Sequence, residues 1–520
     1  MCSTCVVITR TSGERSRKEG GKVFGSGSRA PIAISLLVKN PDAREHGQIY
    51  FHDIGDYLTQ AEKLEKISGY ASISGITAAN GWQTIIPDIH GDWLSQRDDS
   101  FGEYIVLGDK KGVSKKLFSN YSSGVKTNRD AWCYNASKKR IALNMASMID
   151  FYNAEVERFG DAHSGVEKKV RETKVDGFID TNPTKISWDF AQKVGVVSGR
   201  IGAFDKTSIV RSMYRPFTKS WLYFDGFFNN RVYQMPSIFP DATAENRVIC
   251  VSGKGDKVSF SVFITEIVPS LHMVDIDGSQ CFPLYLYADE TDGGEANPKQ
   301  AGLFDAPAQP QRTRRTALSD DGLAHFQASY PGEIIGKEDV FYYVYGLLHS
   351  LEYRDKYADN LSKELPRIPA VKTAADFWAY SKAGRALADL HIGYETSPMY
   401  PANVQSSATS DSDYRVEKMK YGKKGKDKDL TTLHYNAKIT VTGIPLQAYE
   451  YIVNGKPALD WVVERQSVST HKDSGIVNDV NDWACETMGN PRYPLELFLR
   501  VVTVSLETMK IVKSLPPLDI

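Results

Sequence analysis

Cysteine is scarce in this sequence, with six in 520 residues, at positions 2, 5, 133, 250, 281 and 485. So sparse a set cannot form a disulfide framework for a chain this long, and it fits a reducing cytoplasm. The one close pair, Cys2 and Cys5, has no second pair or histidine set at zinc-ligand spacing and reads as incidental. Long apolar runs are missing too. The longest, Ala30 to Val38, is about half of what a bilayer span needs, and the first residues lack the charged-then-apolar layout of a secretion signal. No membrane partner is therefore expected. An excess of either charge is also absent, since 63 Lys and Arg stand against 64 Asp and Glu, for a net charge of −1 and a pI near 6.8. Bulk charge thus points to no partner, and only local clustering can.

Catalytic motifs are equally hard to find. There is no phosphate loop of the G-x-x-x-x-G-K-[ST] kind, no H-E-x-x-H and no G-x-S-x-G. Phe24-Gly25-Ser26-Gly27 looks like a nucleotide loop at first sight, but the spacing is wrong and a strand, not a helix, follows it. It reads as a turn. The histidines are scattered, and no nucleophile is named.

What is present is an ordinary globular composition, 41% hydrophobic, 24% charged and 11% aromatic, in a chain long enough for about two to four domains. Ala30–Val38 and Gln48–Ile54 read as strands. Asp56 is a plausible cap for a helix carrying Tyr57, Leu58, Ala61, Leu64 and Ile67. Residues 1–68 thus read as an α/β edge whose other strands are expected upstream. Short aromatic-rich strands follow over 69–288, including Val248–Ser252, Val258–Ile264 and Cys281–Ala288. A helix near 138–158 interrupts them, with Ile141, Met145, Met148, Ile149 and Tyr152 as a core stripe. Residues 289–332 read as a linker or exposed loop. Region 333–520 reads as helix-rich, with helices at 337–349, 351–365, 377–390, 446–453 and 494–513.

Basic charge interleaved with aromatics is the strongest local signal. Residues 110–140 hold nine Lys or Arg against the single acid Asp130, with Tyr121, Trp132 and Tyr134 among them. Such a segment can lie along phosphates, and it reads equally well as a solvated basic face. A second block runs from Arg211 through Tyr214, Arg215, Lys219, Trp221 and Asp225 to Arg231. Arginine can fork onto guanine there and aromatics can stack on bases. The plainer reading makes Trp221, Leu222 and Tyr223 strand core and pairs Arg215 with Asp225. A third run, 418–428, has six lysines against one aspartate and reads as a mobile, glycine-containing loop.

Six stretches carry a family resemblance: RTSGERSRKEGGKVFGSGSRAPIAISLLVKNP at 10–41, TNRDAWCYN at 127–135, VRSMYRPFTKSWLYFD at 210–225, FPLYLY at 282–287, VFYYVYGLLHSLEYRDKYADNLSKELPRIP at 340–369 and YIVNGKPALDWVVER at 451–465. In this order they resemble the C-terminal half of the Type ISP restriction-modification enzymes, which join a nuclease, a helicase-like ATPase, an adenine methyltransferase and a target recognition domain. The resemblance implies the C-terminal edge of a Rossmann-like methyltransferase sheet, then a mixed α+β target recognition region with a helical C-terminal part. It implies double-stranded DNA as partner, with Lys126, Asn128, Arg129, Arg211, Tyr214, Arg215, Lys219, Trp221 and Arg231 as candidate contacts.

The family's [DNS]-P-P-[YFW] motif is not completed at any Asn-Pro pair, nor at Pro516-Pro517, and the ATPase and nuclease motifs are absent. No catalytic residue carries over. S-adenosylmethionine, ATP and Mg²⁺ are expected for a full-length enzyme and not for this chain, which reads as a fragment or split product. Two further readings stay open: a half that complements an upstream-encoded methyltransferase/helicase polypeptide, and a protein that binds protein or small ligands instead of DNA.

Overall fold

The computed structural model describes residues 2–5, 32–42, 44–112, 115–253, 260–275, 277–289 and 312–520. The Phe24–Gly27 turn, most of the 10–41 stretch and residues 290–311 of the expected linker lie outside the described residues. The described chain is mixed α and β, and it forms two compact units.

The first unit comprises Met1–Glu103 and Lys356–Glu364. Its sheet runs β2 (Ile32–Ser35), β1 (Cys2–Cys5), β3 (Ile49–Asp53), β4 (Gln83–Ile85). The sequence predicts two strands here. The other two arise because Cys2–Cys5 inserts between them, antiparallel to β2 and parallel to β3, and because β4 adds to β3 and carries the sheet past residue 68. Within the described part of the Ala30–Val38 run the strand is Ile32–Ser35, and Leu37 is left 89% exposed. Helix α1 (Gln60–Gly69) starts three residues later than a cap at Asp56 requires. Thr59 takes that role: its hydroxyl accepts from the Glu62 N–H, while Glu62 accepts from the Thr59 N–H at 2.7 Å. This reciprocal T-x-x-E box satisfies two otherwise orphaned donors, which a lone Asp does not. The helix predicted over 351–365 is broken at Tyr357, whose ring packs on Phe101 at 4.9 Å.

The second unit comprises Tyr104–Asp256, Phe260–Asp355 and Leu365–Ile520. Its predicted long helix appears as α2 (Lys138–Ala162), capped by Ser137, with the Ile141 to Tyr152 stripe wholly buried. Further helices of this unit include α3 (Phe190–Ser198), α4 (Lys337–Leu347), α5 (Ala374–Ile392), α6 (Ala458–Arg465) and α7 (Tyr493–Lys513). β5 (Ile105–Val106) pairs with β16 (Arg367–Ile368). One four-stranded sheet runs β11 (Val262–Thr265), β10 (Val248–Val251), β13 (Gln280–Pro283), β6 (Ser122–Ser123). A second runs β12 (Val268–Pro269), β8 (Ile209–Arg215), β9 (Thr218–Tyr223), β7 (Tyr134–Asn135). The described end of the expected linker is ordered: β15 (Arg312–Thr316) pairs with β14 (Tyr285–Asp289), and a helix, Asp320–Ser329, follows.

Helices α4 and α5 cross at two glycines. A Cβ at Gly384 would collide with the Tyr342 carbonyl oxygen, and one at Gly346 with that of Tyr380. Around this crossing the buried tyrosines send their hydroxyls to backbone carbonyls, Tyr343 to Pro369 and Tyr353 to Arg367 at 2.7 Å each, so the aromatic core buries no orphaned phenol at these positions.

The C-terminal region also carries a sheet, β17 (Asn403–Ser406), β20 (Ile439–Thr442), β19 (Asp427–His434), β18 (Lys420–Lys424). The lysine run read as a loop is thus a hairpin, turning at Gly425 with φ +63°. The helix predicted over 446–453 shrinks to one turn at Leu446–Tyr449. Asn454-Gly455, both with positive φ, instead turn a small hairpin between Ile452–Val453 and Lys456–Pro457. Among the described residues no helix is long and apolar enough to cross a membrane.

Candidate nucleic-acid interface

The β8–β9 hairpin is the frame of the site. Pro216 and Phe217 close it, Phe217 taking a left-handed φ of +55° that side chains tolerate only when packing holds them. Its ring is buried against Phe263 and Tyr394 at 5.0 and 5.3 Å, which fixes the end of β8 where Tyr214 and Arg215 sit. Arg215 is held three ways: its Nη1 donates to the Tyr214 carbonyl at 2.6 Å and to Ser270 Oγ at 3.1 Å, and its guanidinium lies over the Tyr214 ring at 4.0 Å.

Against this end lies the segment Val125–Asp130. Lys126 and Arg231 face each other as an antiparallel backbone pair. Thr127 and Tyr214 both donate to the Asp130 carboxylate, Tyr214 at 3.0 Å, and Arg215 Nη2 is 3.9 Å from it. Burial, ahead of the opposing effects of Arg215 and Asp130, holds the Tyr214 hydroxyl above its usual pKa, so it stays protonated and donates. The two blocks singled out in the sequence, 127–135 and 210–225, therefore meet at Asp130. A cleft of about 280 Å³ opens here, lined by Lys126, Asn128, Asp130, Ser270 and His272 among others. Lys126, half-buried, and Arg231, exposed, make no side-chain hydrogen bond or ion pair among the described residues.

Asn128 is exposed at φ +56°, and its amide donates to Asp189 Oδ2 at 3.3 Å. Asn230 donates to the same oxygen at 2.7 Å, and Arg129 Nη2 lies 3.7 Å from it. Burial pushes Asp189 up, but the hydrogen bond from Asn230 and the Arg129 charge outweigh it, and its pKa is lowered. Arg129 itself is not a surface cation. It is 4% exposed and donates to Gln192, withdrawn from the surface where a DNA contact is expected. A charged group left in water costs nothing to desolvate. Buried, it must be matched, and Asp189 supplies the match.

The remaining candidates lie away from this cluster. Lys219 points to Glu395 at 2.7 Å, with its side chain 8% exposed, so its charge is already neutralised inside the fold. Trp221 is half-buried against Trp483 at 5.7 Å, donates to Thr487 at 3.1 Å and carries Lys138 over its ring at 4.5 Å. Leu222 and Tyr223 are core, as the plainer reading has it. Arg211, exposed and without a side-chain partner among the described residues, stands opposite Trp221 on the rim of a larger cleft of about 1180 Å³. Four residues of strand, roughly 13 Å, separate Arg211 from Arg215. Asp225 does not pair with Arg215, because its carboxylate caps the N–H groups of Phe227 and Phe228 at 2.7 Å each.

Sequence reasoning missed Asp189, Asn230, Ser270 and His272. Asn230 lies 41 residues from Asp189, Asp189 61 from Asn128 and Ser270 55 from Arg215, so no local spacing marks them. Among the described residues no group of three or more His, Cys, Asp or Glu is placed to hold a metal ion.

The family model of the Type ISP C-terminal specificity domain matches residues 116–497. Three solved structures are similar over 100% of this chain. A nuclease-deletion mutant of the Type ISP restriction-modification enzyme LlaGI, in complex with a DNA substrate mimic, has a TM-score of 0.84 and 38% identity. The ATP-dependent Type ISP enzyme LlaBIII bound to DNA has 0.84 and 35%, and a DrdV–DNA complex 0.79 and 29%. This chain spans 44%, 31% and 48% of those chains respectively. No curated protein matches. With most of its length inside the family model and its whole length matched to these folds, the chain belongs to the family of Type ISP C-terminal specificity domains.

Proposed function

We propose that this chain recognises a target sequence in duplex DNA and positions the duplex for adenine methylation and cleavage by catalytic parts whose motifs the sequence does not carry. The observation that carries this reading is the pair of cations, Lys126 and Arg231, without side-chain partners among the described residues, on neighbouring backbones beside the Arg215–Tyr214 stack. In this reading the two free cations take phosphates, which carry no sequence information. Asn128 and Arg215, each restrained by neighbours, read base edges, since Asn suits adenine and Arg suits guanine. A side chain fixed before DNA arrives loses less freedom on binding. S-adenosylmethionine, ATP and Mg²⁺ then act in a full-length enzyme and not on these residues.

The experiment is selection of duplexes from a randomised library by the whole chain, followed by affinity measurements on the enriched and on random duplexes. Arg215→Ala is expected to cost about 1–3 kcal/mol on the enriched duplex alone, whereas Lys126→Ala weakens both alike. Equal loss on both duplexes for Arg215→Ala removes its base-reading role, and no duplex binding by the unaltered chain removes the proposal.

A further inference from the structure

We infer that the β18–β19 ribbon is a second, sequence-independent phosphate-binding arm that grips duplex DNA beside the target; the inference rests on the duplex-binding reading above. The ribbon is built from KMKYGKKGKDKD, where a lysine-rich run is pinned as two strands instead of drifting as a loop. Its base is anchored. Tyr421 donates to Asp460 on α6 at 2.8 Å and packs on Tyr449, whose hydroxyl donates back to Leu430 at 2.8 Å. The Val468 N–H donates to Glu417 just before the ribbon at 2.9 Å. From this base five residues of β18 carry the turn at Gly425 roughly 15 Å outward.

The charges on the ribbon work against the fold that holds them. Lys423 stands directly across from Lys428, a like-charge pair that destabilises an antiparallel ribbon. Lys424 has Asp429 at 3.4 Å and Lys428 lies over the Tyr421 ring at 5.0 Å, while Lys420, Lys423 and Lys426 have no partner among the described residues. A polyanion relieves this repulsion, and each lysine that meets a phosphate releases a counterion. The turn, Lys424-Gly425-Lys426-Asp427, offers no amide or aromatic side chain to read a base, which assigns the arm to backbone and not to sequence.

The ribbon also stands next to the recognition cluster. Asp460, its anchor, and Glu464 and Arg465 lie on the same short helix, α6, about 7 Å apart along its axis. Arg465 is close enough to influence the ionisation of Tyr214, and Arg215 that of Glu464. One eight-residue helix thus joins the arm to the Arg215–Tyr214 stack.

The test is the Lys423→Gln/Lys426→Gln double variant of the whole chain, with affinity for the enriched duplex followed from low to moderate salt. Loss of two phosphate contacts should lower the slope of log K against log salt by roughly 2, at 0.9 per contact, with the selected base preference unchanged and the melting temperature not lowered. An unchanged slope overturns the arm, as does a changed base preference, which would make it a reader. If the unaltered chain binds no duplex, the functional proposal falls and the arm with it. If it binds with a preference and the slope alone fails to move, the arm falls by itself.

Discussion

Lys126 and Arg231 exchange both backbone hydrogen bonds, each N–H donating to the other's carbonyl at 2.9 Å. Residues paired this way sit about 5.5 Å apart at Cα with side chains on one face. Two cations held so close, neither with an ion-pair partner among the described residues, repel each other until an anion arrives. Lys126→Ala and Arg231→Ala should each lower the salt slope of duplex binding by roughly 0.9, to the same extent on target and random duplexes. A slope that changes on the target alone would contradict a phosphate role.

Asp189 is the strut under this surface, and its removal should be felt as stability first. In Asp189→Ala the buried Arg129 loses its counter-charge, and breaking such a pair costs about 3–5 kcal/mol. Replacing both residues by leucine should recover most of that loss, because neither charge is then left buried. Denaturant midpoints of the single and double variants decide this, and a double variant no more stable than the single one would contradict it.

Acid should loosen the second unit through His391. Burial, reinforced by the Arg354 charge, drops its pKa to about 3, while Tyr345 and Thr508 hydrogen-bond its two ring nitrogens at 2.6 and 2.9 Å. The folded pKa lies below the unfolded value of roughly 6.5, so between them the unfolded chain binds the extra proton. The neutral-histidine contribution is complete above the unfolded pKa and is lost as pH falls toward the folded one. His391→Phe keeps the ring between Phe263 and Tyr451 and should flatten the fall of melting temperature from pH 7 to pH 4. An unaltered pH dependence would assign the acid sensitivity elsewhere.

Gly384→Ala should separate scaffold from recognition. The added methyl meets the Tyr342 carbonyl, and overpacking of this kind costs about 1–3 kcal/mol. The variant is expected to melt earlier than the unaltered chain yet select the same duplexes. A changed selection would link the α4–α5 crossing to base reading.

The elements that local pattern governs were legible in the sequence. The Ile141 to Tyr152 stripe makes a helix because its period matches one face, and the apolar pair Leu222 and Tyr223, on opposite faces of β9, is buried on both. Position in space was not legible. Asp225 follows Arg215 by ten residues, yet two backbone N–H groups claim it, and Asp130, 85 residues earlier, does the pairing. Charge alone does not place Arg129 and Lys219, since a lysine or arginine reads the same in sequence whether it faces water or a buried carboxylate. At 418–428 the lysines hid a strand pair, because side-chain chemistry there opposes the ribbon that tertiary anchoring enforces.

The cluster at Asp130 draws on three stretches of chain, around 126–130, 214–215 and 270–272, with Arg231 crossing from a fourth. Retargeting by exchange of one linear segment between relatives should therefore yield an idle hybrid, for each stretch supplies half of a contact whose other half stays behind. New specificities would have to be grafted as a discontinuous set, all pieces together, and a single-crossover chimera joined between 130 and 214 is the wrong kind of graft.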